Sequence, residues 1–191
     1  MNLTGMHCDD RRLLLRQATA DNHRSVEDAA GDTATEAGYR HYIAGLFAFR
    51  APVEAALRAC AWPQALGPWR PLLISEPLML DLADLEQARP EIDPAPRVSN
   101  HISDLLGLLY VLEGSSLGAR VIFRQVRELG YHDNFGARHL SAQTGATQNW
   151  KAFLTLLKHA PGFDLDRAVR AANATFLGAA NAFRRARAVR A

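Results

Sequence analysis

Three glycines inside one apolar segment restrict the fold of this chain more than any other feature of its sequence. Gly107, Gly114 and Gly118 lie within residues 105–122, whose apolar residues predict a helix. Each glycine inside a helix costs about 1 kcal/mol relative to alanine. Steps of seven and four residues place all three on one stripe of the helix surface. The stripe indicates either close packing of a neighbouring helix or contact with a bulky ligand, and the spacing does not separate the two.

The size and charge of the chain limit the classes of protein to which it can belong. Its 191 residues are enough for one domain with a substantial core. A net charge of +2 gives no reason to expect a nucleic-acid partner. No uncharged apolar stretch approaches the roughly 20 residues of a membrane span, and the first residues do not form a secretory signal. We therefore predict a cytoplasmic protein with one domain over residues 1–191, of which about 1–9 are flexible.

Helical periodicity dominates the chain, and strand-like alternation is nearly absent. The sequence therefore predicts an all-α domain built as a helical bundle. Pro52 is expected to kink or divide the second helix, and residues 63–77 form an irregular connection. Gly130 stands where a C-terminal cap of the glycine-bearing helix is expected. The predicted helices cover about residues 10–29, 35–60, 78–87, 99–129, 137–143, 147–159 and 164 to the end.

His23 is the candidate metal ligand among the seven histidines. Arg16, His23 and Glu27 follow one another at steps of seven and four residues, so they share one helix face. Glu27 can accept a hydrogen bond from one ring nitrogen of His23, which leaves the other nitrogen free toward a metal. The alternative is an ordinary surface pair of histidine and glutamate. The remaining histidines of interest are predicted to be exposed or to cap helices: His41, His101, His132, His139 and His159.

Taken together, the two segments resemble the heme oxygenase family. Residues 15–19, followed by His23 and Glu27, resemble the proximal helix of that family, and residues 110–122 resemble its distal helix. The similarity is closest to the bacterial biliverdin-producing branch, which includes the enzymes that accompany bacteriophytochromes. The resemblance implies the heme oxygenase fold, with haem held between the proximal and the distal helix.

The resemblance also implies roles for residues near the proximal side. His23 becomes the axial ligand of the haem iron, and Glu27 becomes its hydrogen-bonding partner. Arg16 matches a basic residue that pairs with a haem propionate, and Lys151 matches a second such position. The expected haem-binding residues on this side are therefore Arg16, His23, Glu27 and Lys151.

On the distal side, Gly114 and Gly118 match glycines that let the helix backbone approach haem. Ser115 stands where animal members carry an aspartate that helps order water, and Ala119 stands where many members have a second glycine. We expect Gly114, Ser115 and Gly118 to act in catalysis, whereas Gly107 is assigned to helix packing.

The implied activity is the cleavage of haem to biliverdin, iron and carbon monoxide, with haem as both substrate and cofactor and O₂ as co-substrate. Electrons would come from an external ferredoxin or reductase, because the chain has no nucleotide-binding fingerprint. The product would supply bilin chromophore to a bacteriophytochrome, or the reaction would release iron. Ser115 and Ala119 leave open a non-catalytic haem-binding or trafficking protein. A thiaminase-like member would need a nucleophilic cysteine, whereas Cys8 and Cys60 are expected to be plain thiols.

Overall fold

A computed structural model describes residues 9–188, and within this part the chain forms eight α-helices and no β-strand. The all-α bundle predicted from periodicity is confirmed. The predicted flexibility of residues 1–8 and the state of Cys8 lie outside the described residues, whereas Asp9 already begins a helix. The helices are α1 Asp9–Ala18, α2 Ala20–Ala30, α3 Glu36–Ala59, α4 Ser75–Asp84, α5 Ile102–Glu128, α6 Arg138–Gly145, α7 Thr147–His159 and α8 Leu165–Ala188, with a short 3-10 turn at Gln64–Leu66.

The predicted first helix is divided into α1 and α2 at Thr19, which the sequence pattern did not indicate. The buried hydroxyl of Thr19 donates a 2.7 Å hydrogen bond to the carbonyl of Leu15, and such bonds to residue i−4 often bend helices. Asn173 of α8 holds both sides of the break. Its amide donates to the carbonyl of Ala18 at 3.3 Å and its side-chain oxygen accepts from Asn22 at 2.7 Å. The break therefore depends on a contact between distant parts of the chain.

The structure corrects the predicted division at Pro52 and the predicted start of α4, both for tertiary reasons. Pro52 lies inside α3 without dividing it, and this helix is buried along most of its length. Helix α4 begins at Ser75, three residues earlier than predicted. The buried carboxylate of Glu54 accepts hydrogen bonds from the backbone N–H groups of Ile74 and Ser75, both at 2.9 Å, and so caps this helix start. Pro77 falls in the first turn, where its missing N–H has no intrahelical partner to lose.

Helix α8 lies at the centre of the bundle, and α2, α3 and α5 all pack against it. The backbone N–H of Asp164 donates to Ser103 at 2.9 Å just before α8 begins. Gly107 lies four residues after Ser103, and it lies directly against the backbone of Ala168, which lies four residues after Asp164. Both contacts have the same sequence offset, so α5 and α8 run side by side in the same direction.

Replacing Gly107 with alanine is expected to lower the free energy of unfolding by about 3 kcal/mol. A Cβ atom there would lie 2.1 Å from the carbonyl oxygen of Ala168, which belongs to the α8 backbone and has no rotamer that relieves the clash. Gly118→Ala is the matched control, because its Cβ would meet no atom within 4 Å. That variant is expected to gain about 0.5–1 kcal/mol from helix propensity. Urea denaturation of both proteins without ligand measures the difference, and equal stabilities would contradict the packing role of Gly107.

Two histidines are buried, although the sequence predicted exposed or capping positions for them. The Nδ1 atom of His139 lies 2.7 Å from the carboxylate of Asp81, and burial lowers the pKa of this histidine. The Nε2 atom of His41 lies 2.9 Å from the carbonyl oxygen of Ala29. Packing between different helices brings these partners together, α4 with α6 for His139 and α2 with α3 for His41. His101 does cap α5 as predicted, since its side chain accepts a hydrogen bond from the backbone at the helix start.

Helix α5 is long and apolar enough to cross a membrane when judged by length and composition alone. This is weak evidence, because a core helix of a soluble protein meets the same criterion. In this fold α5 packs against α6, α7 and α8. Its apolar character therefore does not indicate a membrane protein.

Candidate functional site

Helices α2 and α5 both pack on α8 but have few contacts with each other, and polar contacts bridge the gap between them, here called the slot, at two points. At one end the hydroxyl of Tyr110 on α5 interacts with Thr19, where α1 meets α2. At the other end Thr33 donates a 2.8 Å hydrogen bond to the side chain of Gln125. Between these two contacts, within residues 9–188, the two helices make no extensive contact with each other, although both pack on α8. The two contacts are 14 residues apart on the side of α2, from Thr19 to Thr33, and 15 residues apart on α5, from Tyr110 to Gln125. The slot is therefore about 20 Å long.

The α5 wall of this slot is apolar and unusually open. Gly114, Leu117, Gly118 and Val121 follow one another at steps of three, one and three residues, so they share one face of the helix. The two large side chains remain 54% and 60% exposed. A Cβ atom on Gly118 would meet no atom within 4 Å, and one on Gly114 would meet only the edge of the Trp150 ring, at 3.9 Å. Nothing within the described chain therefore requires glycine at positions 114 and 118.

The structure separates the two interpretations that the spacing of the glycine stripe left open. Gly107 is in close contact with another helix, so its missing side chain serves packing. Gly114 and Gly118 instead border free space, which is the arrangement expected of a ligand wall. Leu117 and Val121 were not singled out from the sequence. Their signal was present, because they repeat the three-and-four spacing of the glycines and carry apolar side chains.

His23 stands on the α2 side with its ring held from two directions. Its Nδ1 atom lies 3.5 Å from a carboxylate oxygen of Glu27, and its ring meets the edge of Phe176 with 5.5 Å between ring centroids. The side chain is 57% exposed. Its second nitrogen, Nε2, has no hydrogen-bond partner in the described part of the chain. A positioned imidazole with a free nitrogen is what a single metal ligand requires.

His23 and the glycine wall meet α8 at the same level. His23 contacts Phe176 of α8 directly. Because α5 and α8 run in parallel, seven residues beyond the Gly107 contact bring Gly114 level with Thr175, one residue before Phe176. The bundle therefore brings the candidate metal ligand and Gly114, which are 91 residues apart in the sequence, to one level of the central helix, with Gly118 one turn further along.

Cationic side chains cluster at the Tyr110 end of the slot. Burial raises the pKa of Tyr110, and the positive charges of Arg12 and Arg16 act against that increase. Arg12 also lies over the ring of Trp150, 6.0 Å from the centroid. Lys151 is exposed on α7, one residue after Trp150. Arg12 was missed in the sequence, although its position one turn before Arg16 on the same helix face was visible there.

Ser115 lies at the edge of the wall and its hydroxyl is largely engaged within the protein. It donates a 2.7 Å hydrogen bond to the carbonyl of Leu112 and accepts a 3.0 Å hydrogen bond from the Gln143 amide. One acceptor position remains for a water molecule, but no proton is free to be donated. The buried side-chain oxygen of Gln143 has no partner within residues 9–188. The sequence did not indicate that Gln143 holds Ser115.

The one acidic residue near the glycines of α5 is turned away from the slot. Glu113 is buried, and its carboxylate accepts hydrogen bonds from the backbone of Leu72 at 2.8 Å and from Asn149 at 2.9 Å. Burial raises the pKa of Glu113. Residues 114–121 contain no acid, and the guanidinium of Arg120 is bonded to α7. The open wall therefore presents no carboxylate to a ligand.

Two other kinds of site were considered from the sequence, a multi-residue metal site and a nucleophilic cysteine. Within residues 9–188 no three side chains of histidine, cysteine, aspartate or glutamate converge on one point that could hold a metal ion. Cys60 follows the end of α3, its thiol donates to the carbonyl of Leu57, and burial raises its pKa. A raised pKa disfavours the nucleophilic thiolate that a thiaminase-like activity would need.

Comparisons with known proteins agree on one family. The family model described as "Heme oxygenase" matches residues 12–189. Heme oxygenase PigA of Pseudomonas aeruginosa is 33% identical over 152 residues, which cover 75% of each chain. The NO- and CO-bound heme oxygenase of Neisseria meningitidis superposes with a TM-score of 0.72 over 92% of this chain and 91% of its own, at 20% identity. At that identity the structural match concerns the fold alone.

Proposed function

This chain belongs to the heme oxygenase family of haem-degrading oxidoreductases, and on that basis we propose that it cleaves haem to biliverdin, iron and carbon monoxide. The observation that carries the proposal is the slot, in which His23 and the glycines Gly114 and Gly118 stand at one level of α8. A wall without side chains beside an unpartnered imidazole suits a flat macrocycle with a central metal.

The residues of the slot fit haem in shape and in charge. The slot is about 20 Å long, and its α5 wall leaves free space where Cβ atoms on Gly114 and Gly118 would lie. Arg12 and Arg16 supply positive charge at one end, where the propionates would need partners. Bound haem supplies both the iron that activates O₂ and the porphyrin carbon that is oxidised.

His23 and Glu27 would hold the ligand nitrogen in the correct form. The Glu27 carboxylate lies near Nδ1, so it favours the tautomer in which Nδ1 carries the proton and Nε2 carries the lone pair. The edge contact with Phe176 limits rotation of the ring. Together these contacts would fix the ring and leave Nε2 available to the iron.

The α5 wall would act by direct contact with the ligand and by covering it with apolar surface. Gly114 and Gly118 let the α5 backbone approach the ligand, and Leu117 and Val121 add apolar surface beside them. Ser115 can accept a hydrogen bond from one water molecule but has no proton to donate. The α5 wall would offer no carboxylate as a proton donor to the ligand.

Arg16→Gln is expected to weaken haem binding about fivefold, and Arg12→Gln/Arg16→Gln about 25-fold. Both side chains are exposed, so each contact with a propionate is worth about 1 kcal/mol. Lys151→Gln tests the second predicted propionate partner in the same way. Arg127→Gln, an exposed arginine in the last turn of α5, is the control. Haem titrations at low and high salt measure the change. Unchanged affinity and salt dependence in the double variant would remove these arginines from the site.

The decisive experiment is turnover with defined components. Purified protein is mixed with haem, O₂ and a ferredoxin with its reductase, which serves as the external electron donor that the chain itself does not contain. We expect loss of the Soret band, biliverdin by chromatography, ferrous iron trapped by a chelator, and carbon monoxide. Persistence of the Soret band without biliverdin would overturn the proposal.

A non-catalytic haem carrier is the second candidate, because the Ser115 hydroxyl is already bonded to Leu112 and Gln143. It predicts haem binding through His23 without turnover, so the same assay distinguishes the two. For an active enzyme, the product would serve as chromophore for a bacteriophytochrome, or the released iron would be the useful product. The genes next to this one distinguish these two uses.

A further inference from the structure

A second cavity, of about 560 Å³, lies on the face of α8 that points away from the slot. Gly178 lines this cavity and Phe176 contacts His23, and two residues along a helix turn the side-chain direction by about 200°. The other walls are α3, the start of α5 and the irregular segment of residues 86–101 before α5. The volume is within the range of small-molecule sites, about 300–1,000 Å³.

The interior of this cavity is apolar. Small side chains of α8 form its floor, and Val53, Val98, Leu105 and Leu108 contribute branched aliphatic surface. A Cβ atom on Gly178 would meet no atom within 4 Å, so the cavity reaches the helix backbone. An apolar molecule would therefore bury much of its surface here.

The rim of the cavity carries four arginines, and two of them are already neutralised. Arg167 binds Asp104 through two hydrogen bonds, at 3.0 and 2.6 Å, and this pairing holds the pKa of Asp104 below its usual value. Arg185 forms an ion pair with Asp93 of the segment over the cavity, at 2.5 Å. Both acids that line the cavity are therefore paired.

The other two arginines are left without partners. Arg97 lies on the irregular segment and Arg170 lies on α8, and both are exposed. Neither forms an ion pair or a hydrogen bond with any described residue. The cavity thus combines an apolar interior with two uncompensated positive charges on different walls.

We propose that this cavity binds an apolar dicarboxylate of the size of an open-chain tetrapyrrole, with Arg97 and Arg170 each binding one carboxylate. A cation would be repelled, a neutral apolar molecule would leave both charges unpaired, and a monocarboxylate would use one of them. The inference rests on the proposed function for the source of this ligand, because biliverdin is an apolar chain with two propionates. The cavity would hold a bilin outside the slot, on the other face of α8.

The test uses the full chain loaded with one equivalent of haem and no reductant, so that the slot is filled and no turnover occurs. Biliverdin is added, and its binding is measured by equilibrium dialysis with chromatographic quantification. We expect one bound biliverdin per chain. Arg97→Gln/Arg170→Gln is expected to weaken that binding about 25-fold, about fivefold for each exposed arginine. Arg124→Gln/Arg127→Gln removes the same charge from exposed positions that do not line the cavity and should bind as wild type.

A second variant fills the cavity without changing the charge. Gly178→Leu places a side chain in the free space above α8 and should abolish biliverdin binding here, while haem titration remains unchanged. Gly145→Leu, at another open helical glycine, is the control. Undiminished biliverdin binding by Gly178→Leu or by the arginine double variant would overturn the inference. Dodecanoate that competes as well as biliverdin would overturn the assignment of two carboxylates.

Failure of this inference can be distinguished from failure of the proposed function. A protein that cleaves haem but binds no biliverdin beside bound haem contradicts only the second site. A protein that binds biliverdin in this way but does not cleave haem supports the second site and contradicts only the proposed catalytic activity.

Discussion

His23→Ala is expected to reduce the rate of haem cleavage at least about 100-fold, since even partners that only orient a metal ligand contribute about 10–100-fold. The substitution removes the proposed iron ligand, whose Nε2 atom has no hydrogen-bond partner among the described residues. The fold should be unaffected, because His23 is 57% exposed and its side chain contacts Glu27 and Phe176. Substitutions at such exposed positions usually change stability by no more than about 0.5 kcal/mol. The loss would therefore report on ligation and not on unfolding.

The absorption spectrum separates loss of the ligand from loss of the binding site. We expect the Soret band of haem-loaded His23→Ala to shift, and free imidazole to restore the wild-type position by entering the space left by the side chain. His132→Ala, at a histidine that is exposed and far along the chain, is the control. A wild-type spectrum together with wild-type turnover in His23→Ala would assign the iron to another ligand.

Gly118→Leu is expected to weaken haem binding more than 100-fold and to raise the stability of the protein without haem. No atom lies within 4 Å of a Cβ at this position, so the leucine side chain extends into the slot without a clash in the protein. Steric exclusion costs affinity because α5 is packed on α6, α7 and α8 and has no free direction in which to retreat. Replacing a helical glycine should meanwhile gain about 0.5–1 kcal/mol.

Haem titration and thermal denaturation of the same samples measure these two effects. Opposite signs for binding and stability are the signature of a ligand wall, since a packing glycine such as Gly107 would lose stability when substituted. Gly145→Leu is the control, because that glycine is also open but lies at the end of α6, outside the slot. Undiminished haem affinity in Gly118→Leu would show that haem does not bind against this face of α5.

Local signals in the sequence predicted most of the helical architecture. The limits of α7 agree with the predicted residues 147–159, and Gly130 follows the end of α5 with a φ of +92°, a backbone conformation that favours glycine. The predictions failed where a distant residue decides a local outcome. The predicted first helix is interrupted at Thr19, where Asn173 forms hydrogen bonds on both sides of the break. Glu54 caps the start of α4 three residues before its predicted position. His139 carries no sequence signal of burial because its partner is 58 residues away.

The sequence likewise predicted some features of the candidate site and missed those that depend on packing between helices. The spacing of Arg16, His23 and Glu27 and the resemblance to a known family were sufficient to name the ligand, although its role remains a prediction. The position of Arg12 one turn before Arg16 was visible in the sequence, but its contact with Trp150 was not. The hydrogen bond from Gln143 to Ser115 likewise depends on a contact between helices that no local pattern encodes. These contacts arise when separate segments pack, and periodicity within one segment does not specify them.

The glycine stripe shows this division most directly. Helix geometry places Gly107, Gly114 and Gly118 on one side of α5, and the sequence alone establishes that much. Which glycine packs and which borders a ligand depends on what lies opposite each Cβ position. The parallel register of α5 and α8 puts the Ala168 backbone against Gly107 and leaves space beside Gly114 and Gly118. A repeat in the sequence specifies directions around one helix axis, whereas only the packed bundle specifies whether a direction meets a neighbouring helix or free space.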